Sequence, residues 1–210
     1  IFSFSAGTKI GTCWHSIFEE IDFTWLKPGA DGVCLKKAEA KINEVLDRHH
    51  ICAGRDRKEV EAKTKVVHEM VKIVLSSPLS APGVPPFFLH KVGRADRCDE
   101  MGFDFALQNK KNLKTATILK VLKNHWTEAK YPERKAFFES LKNWDKEIPK
   151  GFMTGYLDLL FRVGERYYIL DWKSNRRGGK PEDFWAAGLR DEMTAHAYDL
   201  QYLIYCVAVH

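Results

Sequence analysis

Residues 155–175 read Gly-Tyr-Leu-Asp-Leu-Leu-Phe-Arg-Val-Gly-Glu-Arg-Tyr-Tyr-Ile-Leu-Asp-Trp-Lys-Ser-Asn, and this stretch admits few folds. Tyr156 to Val163 and Arg166 to Trp172 are rich in the aromatic and branched residues that favour strands. Between them lies Gly164-Glu165. Glycine at the first central position predicts a two-residue type II′ turn. If Val163 pairs with Arg166, five further steps along each strand bring Asp158 opposite Asp171, with Cα atoms about 4.5–5.5 Å apart. Lys173 lies two positions beyond Asp171 and shares that face. The other face carries Leu157, Leu159, Phe161, Tyr168, Leu170 and Trp172 and reads as core. A slip of one residue would exchange the two faces.

Two opposed carboxylates repel and weaken a sheet. Either one is protonated or a cation lies between them. A divalent ion bound by carboxylate oxygens is the natural neutraliser. Such an ion lowers the pKa of water and offsets charge on a phosphoryl oxygen. Lys173 is placed to hold or deprotonate that water, or to stabilise charge in the transition state. The alternative is a surface hairpin whose acids pair with Lys173 or Arg162, because a lone D…DxK is a weak motif.

The remaining sequence narrows the choice. At 210 residues the chain is one domain, or one with an elaborated insertion. Its 45% hydrophobic and 29% charged residues are ordinary for a soluble globular protein. No apolar run reaches the length of a membrane span, and no signal-peptide pattern opens the chain. It begins with Ile rather than Met and stops within an apolar helix pattern, so it reads as a piece of something longer. A net charge of +5 allows nucleic acid without requiring it. The basic clusters at Lys36-Lys37, Arg55-Asp56-Arg57-Lys58 and Lys110-Lys111 read as solvated faces. Arg176-Arg177 differs, because it follows Lys173 by three residues, where a phosphate would arrive. Five cysteines, at 13, 34, 52, 98 and 206, form no metal-binding spacing and read as the reduced thiols of a cytosolic protein. A Walker A loop, GxGxxG and HExxH are all missing.

Periodicity predicts helices over Gly11 to Glu20, Leu35 to about His49, and Asp56 to about Leu75, the last with an apolar stripe of Val60, Val67, Val71, Val74 and Leu75. Residues 21–33 are rich in turn signals. Ser76 to Pro86 reads as a loop, Phe87 to Val92 and Glu100 to Leu107 as strands, and Trp126 to Trp144 as largely helical after Pro132. Arg176 to Pro181 reads as a loop, and a long final helix covers about Met193 to Val209. This order suggests an α/β or α+β sandwich with a central mixed sheet. On the last helix Gln201 and Tyr205 share a face and can hydrogen-bond phosphate, base or water. His15 lies one helical turn before Glu19 and is either structural or a metal ligand. Glu100 opens a strand and is a further acid for the site or a surface residue.

Taken in order, these motifs resemble a known family. Gly151-Phe-Met-Thr-Gly155-Tyr-Leu-Asp158-Leu, Tyr168-Ile-Leu-Asp171-Trp-Lys173-Ser-Asn175 and Ala195-His196-Ala-Tyr198-Asp-Leu-Gln201-Tyr-Leu-Ile-Tyr205 are similar to the RecB-type carboxy-terminal nuclease domains of the PD-(D/E)XK superfamily. Gly11-Thr12-Cys-Trp-His15-Ser-Ile-Phe-Glu19 is similar to that family's G-T-x-x-H-x-x-x-E signature. The likeness covers about the first 25 and the last 60 residues. Only a general likeness, including Val74 to Leu79, covers 30–145.

The resemblance implies a restriction-endonuclease-like α/β core, a central mixed sheet flanked by helices, over about 100–210. A mainly helical elaboration covers about 30–95, and the His15 helix contributes to the site of a single 1–210 nuclease domain. It implies Mg²⁺ held by His15, Asp158, Asp171 and the Trp172 backbone carbonyl, with Mn²⁺ able to substitute and Ca²⁺ inhibitory. Asp158, Asp171 and Lys173 are the implied catalytic residues. Gln201, Tyr205, Ser174, Asn175, Arg176 and Arg177 are the DNA-binding or supporting ones, with Glu100 and Glu19 as further candidates. Some relatives carry an iron–sulfur cluster bound by one early and three late cysteines. Here only Cys206 follows Asp171, so no cluster is expected. The implied partners are DNA, chiefly single-stranded ends, a helicase domain of the same full-length chain and other helicase–nuclease subunits, with no membrane. The implied setting is the bacterial cytoplasm, and the implied process is double-strand break repair. Three rival readings are a free-standing exonuclease of the superfamily, a catalytically dead fold that binds DNA or a partner, and a carboxylate-pair glycosidase. Lys173 and the basic loop suit phosphate better than sugar.

Overall fold

The computed structural model describes residues 7–51, 56–81, 83–107, 113–127, 130–141, 147–148, 150–175 and 178–210. Its elements, in chain order, are α1 (Thr8–Glu20), α2 (Gly32–Arg48), α3 (Arg57–Ser76), β1 (Leu79–Ala81), β2 (Val84–Phe87), β3 (Arg97–Leu107), β4 (Leu113–Lys114), α4 (Thr115–His125), α5 (Lys135–Ser140), β5 (Glu147–Ile148), β6 (Gly151–Val163), β7 (Arg166–Leu170), α6 (Ala186–Ala195) and α7 (Tyr198–Val209). Helices and a small sheet are mixed in one chain, with three helices leading. The chain forms two compact units. One comprises residues 1–101 and 157–176, the other 102–156 and 177–210.

In the first unit, apolar residues at helical spacing face one core. Cys13, Ile17 and Ile21 come from α1 and its end, Ala38, Ile42, Val45 and Leu46 from α2, and Val67, Val71 and Leu75 from α3. All are buried. Each large apolar side chain among them contributes about 1.5–3 kcal/mol by leaving water. Aspartates start the second and third helices. Asp31 accepts from the Cys34 amide at 2.7 Å and Asp56 from the Lys58 amide at 2.9 Å, satisfying donors that a helix start leaves unpaired.

Helix α2 ends in a Schellman motif, with the His50 amide bonded to the Asp47 carbonyl and the Ile51 amide to the Leu46 carbonyl. The motif needs a left-handed residue, and His50 supplies it at φ 52°. A side chain there is strained. His50→Gly is therefore expected to raise stability by about 1 kcal/mol, read as a higher urea midpoint at unchanged slope.

The hairpin keeps the register expected from its turn. Val163 pairs with Arg166, Phe161 with Tyr168 and Leu159 with Leu170, all antiparallel. Gly164 sits at φ 62°, as a type II′ turn requires at that position. Leu157, Leu159 and Phe161 are buried, and Tyr168, Leu170 and Trp172 pack on the core from the same face. Strand β6 is the middle strand of the order β3-β6-β7.

Four expectations from sequence are corrected. The proline-rich stretch 76–86 is not all loop, because β1 and β2 pair antiparallel within it. Pro85 and Pro86 are tolerated because a two-stranded ribbon has free edges. Phe87 to Val92 is no strand. After Phe87 the chain makes a 3₁₀ turn at Leu89–Lys91, which buries Leu89 and Val92, three apart and eclipsed. The long final helix is two helices, α6 and α7, broken at His196-Ala197, with Ala197 at φ 52°. The helix expected after Pro132 is a 3₁₀ turn followed by the six-residue α5, and 142–146 lie outside the described residues.

In the second unit, β4 and β5 pair antiparallel and α4 follows. Trp126, Phe137 and Phe138 meet with ring centroids 5.4–6.3 Å apart, and Arg134 lies over the Trp126 ring. Phe137 is buried at the centre of this set. Among the described residues, no helix is long and apolar enough to cross a membrane.

Candidate metal centre

Three elements of the first unit deliver the candidate ligands. His15 comes from α1, Glu100 from β3 and Asp158 from β6. One ligand atom from each lies within 4.8 Å of the others, and all three residues are half-buried. The His15 Nδ1 atom is 3.5 Å from Asp158 Oδ1 and 4.0 Å from Glu100 Oε1.

The backbone of Trp172 orients two of the three. Its N–H donates to Asp158 Oδ2 at 2.6 Å. Its carbonyl can only accept, so His15 Nε2 carries the proton in their 3.0 Å bond. That bond turns Nδ1 toward the two carboxylates, as the outer hydrogen bond of a metal-binding histidine does. The Trp172 ring stacks on Phe18 of α1, with centroids 4.1 Å apart and planes at 15°. The same residue thus ties the hairpin to the helix that carries His15. Gly11 permits the close approach. A Cβ there would stand 2.7 Å from Ser174 Oγ.

The electrostatics favour a cation. Glu100 is held above its ordinary value, first by burial and then by the charges of Asp158 and Glu19. His15 is also raised, chiefly by its hydrogen bond to Asp158, against the opposing effect of burial. Both shifts mean that the site holds protons where positive charge is wanted. For a histidine with a raised folded pKa, the stabilisation is full below the unfolded value near 6.5 and is lost as pH rises through the raised value. The metal-free chain is therefore expected to be less stable at pH 8 than at pH 6. His15→Gln should flatten the dependence, measured by urea denaturation in EDTA.

Asp158 and Asp171, expected to face each other across the hairpin, lie one step beyond the ladder, which ends at Leu159–Leu170. Asp171 forms an ion pair with Lys173, and Glu100 joins His15 and Asp158. Repulsion between facing acids is relieved because Asp158 takes the Trp172 amide and Asp171 takes Lys173. Glu100 stands at φ 48°, an uncommon conformation for a glutamate, and no sequence signal foretold it. A cavity of about 610 Å³ opens over the centre, lined by Thr8, Gly11, Thr12, His15, Ser16, Glu19, Glu100 and Ser174. Thr8, Thr12 and Ser16 follow at intervals of four and could have been read as one helix face. Asn175 follows Ser174 and is half-buried.

Gln201 and Tyr205 lie in the second unit, where Gln201 Nε2 donates to Tyr205 Oη at 2.6 Å. They line a separate, mostly apolar cavity of about 440 Å³ with Phe103, Met153, Tyr156 and His196. Arg176 and Arg177 lie outside the described residues.

An imidazole and two carboxylates, set on a mixed α/β scaffold beside an Asp-x-Lys segment, define a candidate divalent-metal protein. The chain is homologous to RecB subunits along nearly its whole length. It is 28% identical over 211 residues, 99% of the chain, to the RecBCD enzyme subunit RecB of Escherichia coli K12. It is 30% identical over 132 residues to that of Haemophilus influenzae, covering 59% of the chain. It is 26% identical over 216 residues to that of Mycobacterium tuberculosis H37Rv, covering 98% of the chain. The chain spans only 15%, 10% and 18% of those three proteins, an extent consistent with the RecB carboxy-terminal nuclease domain. No family model matches the chain.

Proposed function

We propose that this chain is a Mg²⁺-dependent deoxyribonuclease domain, the nuclease module of a RecBCD-type helicase–nuclease acting in double-strand break repair. The observation that carries the reading is the His15–Glu100–Asp158 cluster beside Asp171-Trp172-Lys173. Its two carboxylates suit a hard divalent ion, Mg²⁺ or Mn²⁺, and its imidazole favours Mn²⁺ of the two. The scaffold is a restriction-endonuclease-like core with a helical elaboration, and both compact units belong to one nuclease domain.

His15, Asp158 and Glu100 would hold the cation, with Asp171 as a further ligand, and the Trp172 carbonyl would hold the imidazole in place through Nε2. A cation bound there lowers the pKa of water and offsets charge on the phosphoryl group. Lys173 orients the attacking water and faces the charge that develops on the phosphate. Ser174, Asn175, Arg176 and Arg177 follow where the DNA backbone enters, and Gln201 and Tyr205 contact DNA or support the site. The substrate is DNA with single-stranded ends, delivered by a helicase domain of the full-length protein in the bacterial cytoplasm. Mn²⁺ replaces Mg²⁺, and Ca²⁺ inhibits.

The test is an assay on linear and circular single-stranded DNA, each with Mg²⁺ and with EDTA. Degradation that needs Mg²⁺ is expected. Intact DNA of both forms with either Mg²⁺ or Mn²⁺ would sink the reading.

A further inference from the structure

Helix α1 has no basic residue in its last turn, yet its terminal carbonyls need donors. Two arginines from far along the chain provide them. Arg94 donates to the Glu19 carbonyl at 2.9 Å and to the Glu20 carbonyl at 2.5 Å. Arg97 Nη2 donates to the Ile21 carbonyl at 2.6 Å, with longer bonds of 3.4 Å to Glu19 and 3.5 Å to Phe18. The carboxylate of Asp99 lies 3.1 Å from each arginine. The Arg97 side chain is 0% exposed, and its guanidinium lies 3.6 Å from the centre of the Phe23 ring. Burial lowers its pKa to about 10, so it stays charged at neutral pH.

A buried arginine with a cation–π partner and a carboxylate is more than an exposed helix cap needs. The next residue supplies a reason. Glu100 follows Asp99 directly and holds a left-handed φ of 48° within β3. Such backbone strain persists only where its surroundings over-determine it. Asp99 is fixed between the two arginines, and the backbone then turns so that the Glu100 carboxylate comes within 4.0 Å of His15. The arginines bind the very helix that carries His15.

We propose that Arg94, Arg97 and Asp99 form a positioning clamp that locks the end of α1 to β3, aims Glu100 at His15, and thereby sets the affinity of the centre for its cation. The proposal rests on reading His15, Glu100 and Asp158 as the metal centre. None of the clamp residues touches the cation, and each acts through Glu100.

The test uses Arg97→Lys, which keeps the charge and loses the planar fork. Two readouts separate aiming from simple capping. The first needs no metal: the three-bond amide–Hα coupling of Glu100 by NMR. It is expected to be intermediate in the unmodified chain, as a left-handed φ of 48° gives, and to rise to the large value of an extended strand in R97K. The second is Mn²⁺ affinity by calorimetry. R97K is expected to weaken it about tenfold or more, and to weaken it no further in a Glu100→Ala background. An unchanged Glu100 coupling, an unchanged Mn²⁺ affinity, or an equal loss in both backgrounds overturns the clamp. Should R97K fail to fold, Asp99→Asn is read by the same two measurements. A chain that binds no Mn²⁺ at all refutes the metal reading, and the coupling alone then decides the clamp.

Discussion

Asp158→Asn is expected to leave the chain folded and to remove Mg²⁺-dependent cleavage. The amide is nearly isosteric with the acid, and its oxygen still accepts the Trp172 N–H that Asp158 now accepts at 2.6 Å. The hydrophobic face behind it, Leu157, Leu159 and Phe161, is untouched. What is lost is the negative charge 3.5 Å from His15. If that charge supplies about 4 kcal/mol of transition-state stabilisation through the cation, the rate falls on the order of 10³-fold. Cation affinity should fall with it. Calorimetric titration with Mn²⁺ and a single-turnover assay on linear single-stranded DNA read both quantities. A variant that cleaves at the unmodified rate would remove Asp158 from the centre.

Lys173→Ala is expected to lose turnover while keeping the cation. Lys173 pairs with Asp171 and lies outside the His15–Glu100–Asp158 cluster. It is a charge aimed at the reaction rather than a ligand. Removing one such group from a preorganised site costs about 10²–10³-fold in kcat, with KM little changed. Loss of Mn²⁺ affinity as large as that of the Asp158 variant would make Lys173 part of the binding site instead. Measured side by side, the two variants separate holding the ion from using it. Lost cation binding in one and lost turnover in the other also excludes a scaffold that merely binds DNA.

The hairpin was the most legible part of the fold. Turn chemistry and alternation work over a few residues, so Gly164 alone was enough to set the register through Leu159–Leu170. His15 was marked as a candidate by its motif, and the helices α1, α2 and α3 were legible from their apolar period. Features that depend on contacts far along the chain were not legible. Alanine favours helix, so nothing at Ala197 announces the break between α6 and α7. Helix α4 was not expected, although Ile118, Leu119, Leu122 and Trp126 recur at helical spacing in it and at its end. Glu100 was read as a further candidate acid, but its left-handed φ of 48° falls where sequence predicts an ordinary strand. The arginines that cap α1 come from some 75 residues later, beyond the reach of any local pattern.

The N–H and the carbonyl that orient Asp158 and His15 belong to the Trp172 backbone, and this bears on how such a site drifts over time. No codon change except one to proline removes the N–H, and none removes the carbonyl. Side-chain scanning at this position would report the stack on Phe18 and the packing on the core, not the orienting bonds. The orienting bonds are open to chemical synthesis rather than mutation. An ester in place of the amide contributed by Trp172 would delete the hydrogen bond to Asp158 while leaving every side chain in place. Position 172 can therefore vary among descendants of this chain while the geometry it imposes is inherited unchanged.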